Sequence, residues 1–247
     1  MKALYDQIGI DYATQRQSDP RIAAQLWKLL ENAKRIVNIG AGSGSYEPHD
    51  IELVAVEPSK EMIKQRKANK HLVIKTSAED LPFKDNSFTH ALTILSMHHW
   101  ADRNKAFTEI NRVTTDRFVA VSWNPNASPF WLTRDYFPEL YETDQKIFPT
   151  LEEFQRHFND VQITPLLIPE DCIDGFLAAY WKRPEAYLNP KVRQSISTFS
   201  KLKQLDTGLK KLEDDLKSGA WKQRNRDILN KSALDAGYIL ITANVRP

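Results

Sequence analysis

Three glycines close the run Val37-Asn38-Ile39-Gly40-Ala41-Gly42-Ser43-Gly44, and an acidic residue, Glu57, ends the next β-branched run. A strand that stops at a crevice needs glycine where the chain turns sharply and where backbone must approach a ligand. A carboxylate at the end of the neighbouring strand can accept from both hydroxyls of a ribose. Glu57 follows Gly40 by 57 − 40 = 17 residues, close to the separation such a two-part site uses. The third glycine comes one position early for a dinucleotide turn, since Ser45 stands where Gly-x-Gly-x-x-Gly needs its last glycine. A pyrophosphate also wants a helix N-terminus directly after the turn. Segment 44–51 contains Pro48 and has room for one helical turn at most. The pattern points to a ribose ligand without phosphates and against a nicotinamide-dependent oxidoreductase.

A second set of residues could act on an acceptor. His98 and His99 follow an apolar run. A histidine can serve as a base near neutral pH, and His98 is the candidate for that role. Neighbouring residues on a strand face opposite ways, so one histidine is expected to point to the pocket and the other to pack. His99, Trp123, Trp131, Tyr180 and Arg183 are candidates for substrate contact, with ordinary packing as the competing reading of the aromatic residues. Cys172, the single cysteine, has no visible activating partner and is expected to be buried and inert. One thiol excludes an intrachain disulfide and multi-thiolate metal sites; no metal is expected.

These residues need a scaffold. Runs at 37–39, 53–56, 71–74, 90–95 and 117–121 read as strands, apolar on both faces as in a covered parallel sheet. Segments 22–30, 61–67 and 104–113 read as helices, the last with Ala106, Ile110 and Val113 on one face. The short link between the first two strands is unusual, because a parallel crossover ordinarily carries a full helix. From residue 125 proline and aromatic residues become frequent. A strand is expected at 161–168, helices at 176–181, 192–205 and 209–218, and a last strand at 237–243. The Lys- and Asp-rich run 201–217 reads as a solvated helix face.

The chain has 247 residues, 41% hydrophobic and 27% charged, with 34 basic against 32 acidic residues. That suits one α/β domain with an insertion. The net charge of +2 leaves no electrostatic footprint for nucleic acid. No apolar run is long enough to span a membrane. Segment 1–16 lacks the apolar core of a signal peptide, so a cytoplasmic location is expected.

In order, these segments resemble the class I S-adenosylmethionine-dependent methyltransferases, in the branch of the ubiquinone/menaquinone and trans-aconitate enzymes. The resemblance rests on the glycine run 37–44, on Val56-Glu57-Pro58-Ser59 and on Ser77-Ala78-Glu79-Asp80-Leu81-Pro82-Phe83. It continues in Leu95-Ser96-Met97-His98-His99-Trp100, Glu109-Ile110-Asn111-Arg112-Val113, and the opening Leu4-Tyr5-Asp6-Gln7-Ile8-Gly9 with Tyr12 and Arg16. It implies a Rossmann-like seven-stranded sheet, mostly parallel with an antiparallel C-terminal strand, plus a helical lid insertion. It divides a single domain into a cap (1–31), a cofactor core (32–124), a substrate-facing insertion (125–236) and a final strand (237–247).

The resemblance also implies roles. Gly40, Ala41 and Gly42 would line the methionine part of S-adenosylmethionine, and Glu57 would hold its ribose. Ala78 and Glu79 would meet adenine, with Pro58 and Ser59 on its other side. Leu95 would close the site from below. Tyr12 and Arg16 would cap it, unless they form only a surface pair one helical turn apart. The sequence departs from the family at Asn38, where many members carry an acid, and in the short first crossover. The expected activity is methyl transfer to a small-molecule O, N or C nucleophile. A cofactor-binding fold without the reaction is the alternative.

Overall fold

The first described helix begins where Asp19 accepts a hydrogen bond from the Arg21 amide and Pro20 occupies the first turn, a strong start signal. This helix, α1 (Pro20–Trp27), buries Ile22, Ala23 and Leu26 and tightens into a 3₁₀ turn at Lys28–Leu30. The computed structural model describes residues 16–66 and 71–246. Strands β1 (Arg35–Ile39) and β2 (Glu52–Val56) pair in parallel with no helix between them. Then follow α2 (Lys60–Lys64), β3 (Leu72–Ile74), β4 (Phe88–Ile94), α3 (Arg103–Val113) and β5 (Thr114–Trp123). The insertion supplies α4 (Trp131–Asp135), α5 (Pro138–Ile147), α6 (Leu151–His157) and β6 (Asn159–Pro169). After it come α7 (Pro190–Gln194), α8 (Leu205–Ser218), α9 (Ala220–Arg224) and β7 (Ala233–Asn244).

The seven strands run in the order β3-β2-β1-β4-β5-β7-β6; β7 pairs antiparallel with both β5 and β6, and the other pairs are parallel. This is the Rossmann-like sheet expected. Alternation along the strands divides the core into two layers. Ile36, Leu53, Ala55 and Val119 pack with α1 and the insertion. Val37, Val54, Phe118 and Ile241 pack with Phe107 and Ile110 of α3 and with Phe154 and Phe158. The strand order reverses between β1 and β4, and a crevice at the carboxyl ends of the strands opens at such a reversal.

Two helical expectations fail. Segment 176–181 is a chain of tight turns, closed by Ala179 N–H to Phe176 O, Trp181 N–H to Ala178 O and Arg183 N–H to Tyr180 O. Phe176, Leu177, Ala178, Ala179 and Trp181 are all buried. A segment buried along most of its length has little polar face to place outward, so its apolar spacing carries no period. Trp181 fixes the path: its indole N–H lies between the carbonyls of Ile168 (2.9 Å) and Pro169 (3.1 Å). Segment 192–205 is likewise broken into the end of α7 and a 3₁₀ turn at Ser197–Lys201. The Lys- and Asp-rich run is the mostly exposed α8, which buries Gly208 and Leu212.

His90 gives the fold a pH dependence. It is buried in β4, and burial holds its pKa below the ordinary 6.5. Below that pH the unfolded chain gains a proton that the native His90 resists, so stability falls with acidity from about pH 6.5 downward. The limiting slope for one such group is about 1.4 kcal/mol per pH unit. Urea unfolding at pH 7.5 and 5.5 is expected to show a smaller acid loss in His90→Asn than in the wild type. Equal losses in the two proteins would refute the assignment.

Candidate functional site

β1 ends at the glycine turn. Gly40, Gly42 and Gly44 have φ of 68°, 52° and 86°, a region that side-chain-bearing residues enter at a cost. The amides of Gly40 and Ala41 both donate to the Val56 carbonyl (2.9 and 3.0 Å), which ties the turn to the end of β2. A Cβ on Gly40 would stand 2.3 Å from the Ser96 hydroxyl. Ser96 itself is fixed, by Thr93 Oγ1 at 2.6 Å and the Ile39 carbonyl at 3.1 Å.

Glu57 lies just beyond β2 and is 5% exposed. Its two oxygens accept from the amides of Gly42 and Ser59, both at 2.8 Å. Ser59 in turn caps α2 through its hydroxyl, which accepts from Met62 N–H at 3.2 Å. Pro58 is exposed and Ala78 is buried. The carboxylate of Glu79 is turned to the amides of Ala101 (2.8 Å) and Asp102 (3.1 Å) at the start of α3. Burial alone would raise its pKa, but the backbone amides outweigh burial and hold it below the usual range. Leu95 follows β4 with φ 49° and anchors its amide on the Val121 carbonyl at 2.9 Å.

Tyr12 lies outside the described residues. Arg16 is held by Asp174, with Nε to Oδ1 at 2.6 Å and Nη2 to Oδ2 at 3.4 Å. Asp174 also accepts from the Tyr46 hydroxyl at 2.7 Å, and that hydroxyl accepts from the Asp19 amide at 3.3 Å. Burial, then the Asp174 charge, pushes the Tyr46 phenol well above its ordinary range, so it stays a neutral donor. These bonds join the N-terminal segment, the short first crossover and the insertion at one buried point.

Beside this point opens a cavity continuous with solvent. Leu95, His98, His99, Arg16, Asp144, Phe148, Phe176 and Tyr238 border it. Here the expectation for the histidines is corrected. They lie on a 3₁₀ turn, Met97–His99, not on a strand. Both therefore reach the same cavity, with ring centroids 3.9 Å apart, and His98 also lies 4.4 Å from the Phe148 ring. Trp123 borders a smaller neighbouring cavity and donates its indole N–H to the Ala236 carbonyl at 3.2 Å.

Trp131, Tyr180 and Arg183 line neither cavity. Trp131 is core: its indole N–H bonds the Trp181 carbonyl at 2.8 Å. Arg183 clamps the turns through the carbonyls of Cys172 (2.5 Å) and Ala179 (2.9 Å) and covers the Tyr180 ring. Cys172 is buried, and burial pushes its thiol up to about 12. Among the described residues no group of three His, Cys, Asp or Glu could hold a metal ion.

Sequence reasoning missed Asp144 and the partners Glu47 and Arg66 of Asn38. Glu47 accepts from Asn38 Nδ2 at 2.9 Å and pairs with Arg66 Nη2 at 2.6 Å, both charged side chains being buried. Nothing in the spacing of these residues joins them; the bare first crossover was the one signal that something else must fill that space.

Comparison with known proteins agrees with this geometry. Residues 37–117, from β1 into β5, match the family described as Methyltransferase domain. A solved structure from Anabaena variabilis ATCC 29413 is provisionally described as a methyltransferase from an antibiotic biosynthesis pathway. It is 32% identical, with a TM-score of 0.83 over 93% of this chain and 98% of that one. An uncharacterised methyltransferase of Bacillus subtilis strain 168, YcgJ, is 28% identical over 62% of this chain and 57% of its own length. A chloroplastic 2-methyl-6-phytyl-1,4-hydroquinone methyltransferase of Oryza sativa subsp. japonica is also 28% identical, over 53% of this chain and 39% of its own. The chain thus spans about half the length of these curated relatives. The sheet, the glycine turn and the Anabaena relative together place it: this chain belongs to the class I S-adenosylmethionine-dependent methyltransferase family.

Proposed function

We propose that this protein transfers the methyl group of S-adenosylmethionine to a small-molecule acceptor seated in the cavity beside His98 and His99. The observation that carries the reading is the ordering of Gly42 by Glu57 at the β1/β4 reversal.

The residues fit the cofactor. The turn leaves Gly40 without room for a Cβ. The Oδ1 of Asn38 is buried without a hydrogen-bond partner among the described residues, an acceptor that a bound donor would satisfy. Glu57, its oxygens aligned by two amides, would take the ribose hydroxyls. Gly40, Ala41, Gly42 and Leu95 would border the methionine portion. Ala78, Pro58 and Ser59 would border adenine. Arg16 would face the amino-acid end.

When bound, the cofactor supplies a methyl carbon already activated by its sulfonium. The chain's own task is alignment, exclusion of water and removal of a proton. Phe148, Phe176 and Tyr238 give the cavity apolar walls. His98 or His99 would accept the proton of a hydroxyl or amine nucleophile. Among the described residues no helix is long and apolar enough to cross a membrane.

The test is calorimetry followed by turnover. S-adenosylhomocysteine is expected to bind saturably at about one per chain, with a Kd in the micromolar range, near −8 kcal/mol. Labelled S-adenosylmethionine should then pass its methyl group to a component of a metabolite extract. Absence of binding would sink the cofactor reading. Binding without transfer to any acceptor would sink the enzymatic one.

A further inference from the structure

In a parallel sheet the crossover helix after the first strand covers the glycine turn and points its N-terminus at it. This chain has no helix between β1 and β2. Tyr46 and Glu47 of the crossover are buried instead, at 5% and 3% exposure. Arg66, just past α2, reaches back over the turn to meet Glu47.

Its contacts are specific. One guanidinium nitrogen donates to the Gly42 carbonyl at 3.2 Å, and the other bonds Glu47 at 2.6 Å. The guanidinium plane lies against Gly44, where a Cβ would be 3.2 Å from Cζ and from both terminal nitrogens. Glu47 passes the constraint on to Asn38 at the end of β1. Gly42 is therefore gripped on both sides, its N–H by Glu57 and its carbonyl by Arg66. Both grips originate in the segment that follows β2. Glu57 starts it, Ser59 caps α2, and Arg66 closes it.

We infer that Arg66 is a positioning residue for the cofactor: with Glu47 it does the work of the missing crossover helix and holds the glycine turn in its ligand-ready shape. The inference rests on the proposed cofactor. Removing one partner of a buried pair leaves the other charge uncompensated, so the turn loses its order as well as a contact. A turn that must be ordered on binding binds more weakly. The loss should concentrate on the part of the ligand lying against Gly40 to Gly42, the methionine portion, since adenine and ribose meet Glu57, Ser59 and Ala78.

The experiment compares two ligands on three proteins: wild type, Arg66→Met and Arg66→Lys. The ligands are S-adenosylhomocysteine and 5′-methylthioadenosine, which lacks the amino-acid end. Binding is measured by calorimetry at a temperature where circular dichroism shows each protein fully folded. Arg66→Met is expected to weaken S-adenosylhomocysteine by about 10- to 100-fold and methylthioadenosine by about 3-fold or less. Arg66→Lys restores the charge opposite Glu47 without the two-pronged geometry and should recover part of the loss. A purely structural role would weaken both ligands equally and overturn the inference, as would unchanged binding in Arg66→Met. If the wild type binds neither ligand, the cofactor reading itself has failed. Should Arg66→Met not fold, the inference is read from Glu47→Gln, which keeps the size and a hydrogen bond to Asn38 but removes the charge, with the same ligand split expected.

Discussion

Gly40→Ala should destabilise the protein by about 3 kcal/mol or more and abolish measurable S-adenosylhomocysteine binding. Two costs add at this position. An alanine at φ 68° pays the left-handed penalty of about 1–2 kcal/mol. The new Cβ also stands 2.3 Å from Ser96 Oγ and 2.5 Å from its Cβ. Ser96 cannot swing aside cheaply, because Thr93 and the Ile39 carbonyl hold its hydroxyl. The backbone of the turn must move instead, and that backbone is the ligand surface.

Other glycines separate the two costs. Gly219 has φ 79° and nothing within 4 Å of a Cβ, so Gly219→Ala measures conformational strain alone. Gly42→Ala, at φ 52°, meets only the tip of Met62 at 3.3 Å, which can bend away. Urea unfolding should therefore rank Gly40→Ala well below the other two, and calorimetry should show binding lost in Gly40→Ala. Equal stability of Gly40→Ala and Gly219→Ala would mean that the close packing of turn against Ser96 is not maintained in solution.

What could be read in the sequence was local. The glycine turn and Glu57 are legible because the strand, its turn and the acid at the next strand end lie within twenty-odd residues and obey fixed stereochemistry. The sheet was legible for the same reason, since each short β-branched run, apolar on both faces, marks a buried strand of a covered parallel sheet. The histidines were misjudged because β4 ends at Ile94 and Leu95 turns to φ 49°, placing both rings on a 3₁₀ turn. A break of that kind has no marker in a non-glycine residue. Segment 176–181 was misjudged because burial along most of its length erases amphipathic period. Arg183 and Trp131 looked like ligand contacts by type, yet the interior uses their donors on the Cys172 and Trp181 carbonyls. Arg66 and Glu47 are 19 residues apart and meet only because a helix is missing between them.

Glu57→Ala should lower S-adenosylhomocysteine affinity by about a hundredfold or more and cost the fold about 2–4 kcal/mol. The carboxylate presently satisfies two amides, Gly42 N–H and Ser59 N–H, each at 2.8 Å in a largely buried place. Removing it leaves two donors unpaired, at about 1–3 kcal/mol each, and water entering the gap recovers part of that. Glu57→Gln is not a mild change here. A glutamine has one acceptor oxygen, so its amide nitrogen must face one of the two backbone donors. It should keep more stability than Ala yet lose nearly as much binding, because neither the charge nor two free acceptors remain for a ribose. The ribose assignment is then tested by a cycle rather than by one loss. Wild type and Glu57→Ala are each titrated with S-adenosylhomocysteine and with its 2′-deoxy analogue. If Glu57 holds the 2′-hydroxyl, deleting that hydroxyl costs the wild type about tenfold or more and the variant almost nothing, so the two changes fail to add. Additive losses would mean that Glu57 serves only to order Gly42 and Ser59, and that the hydroxyls are held by another group.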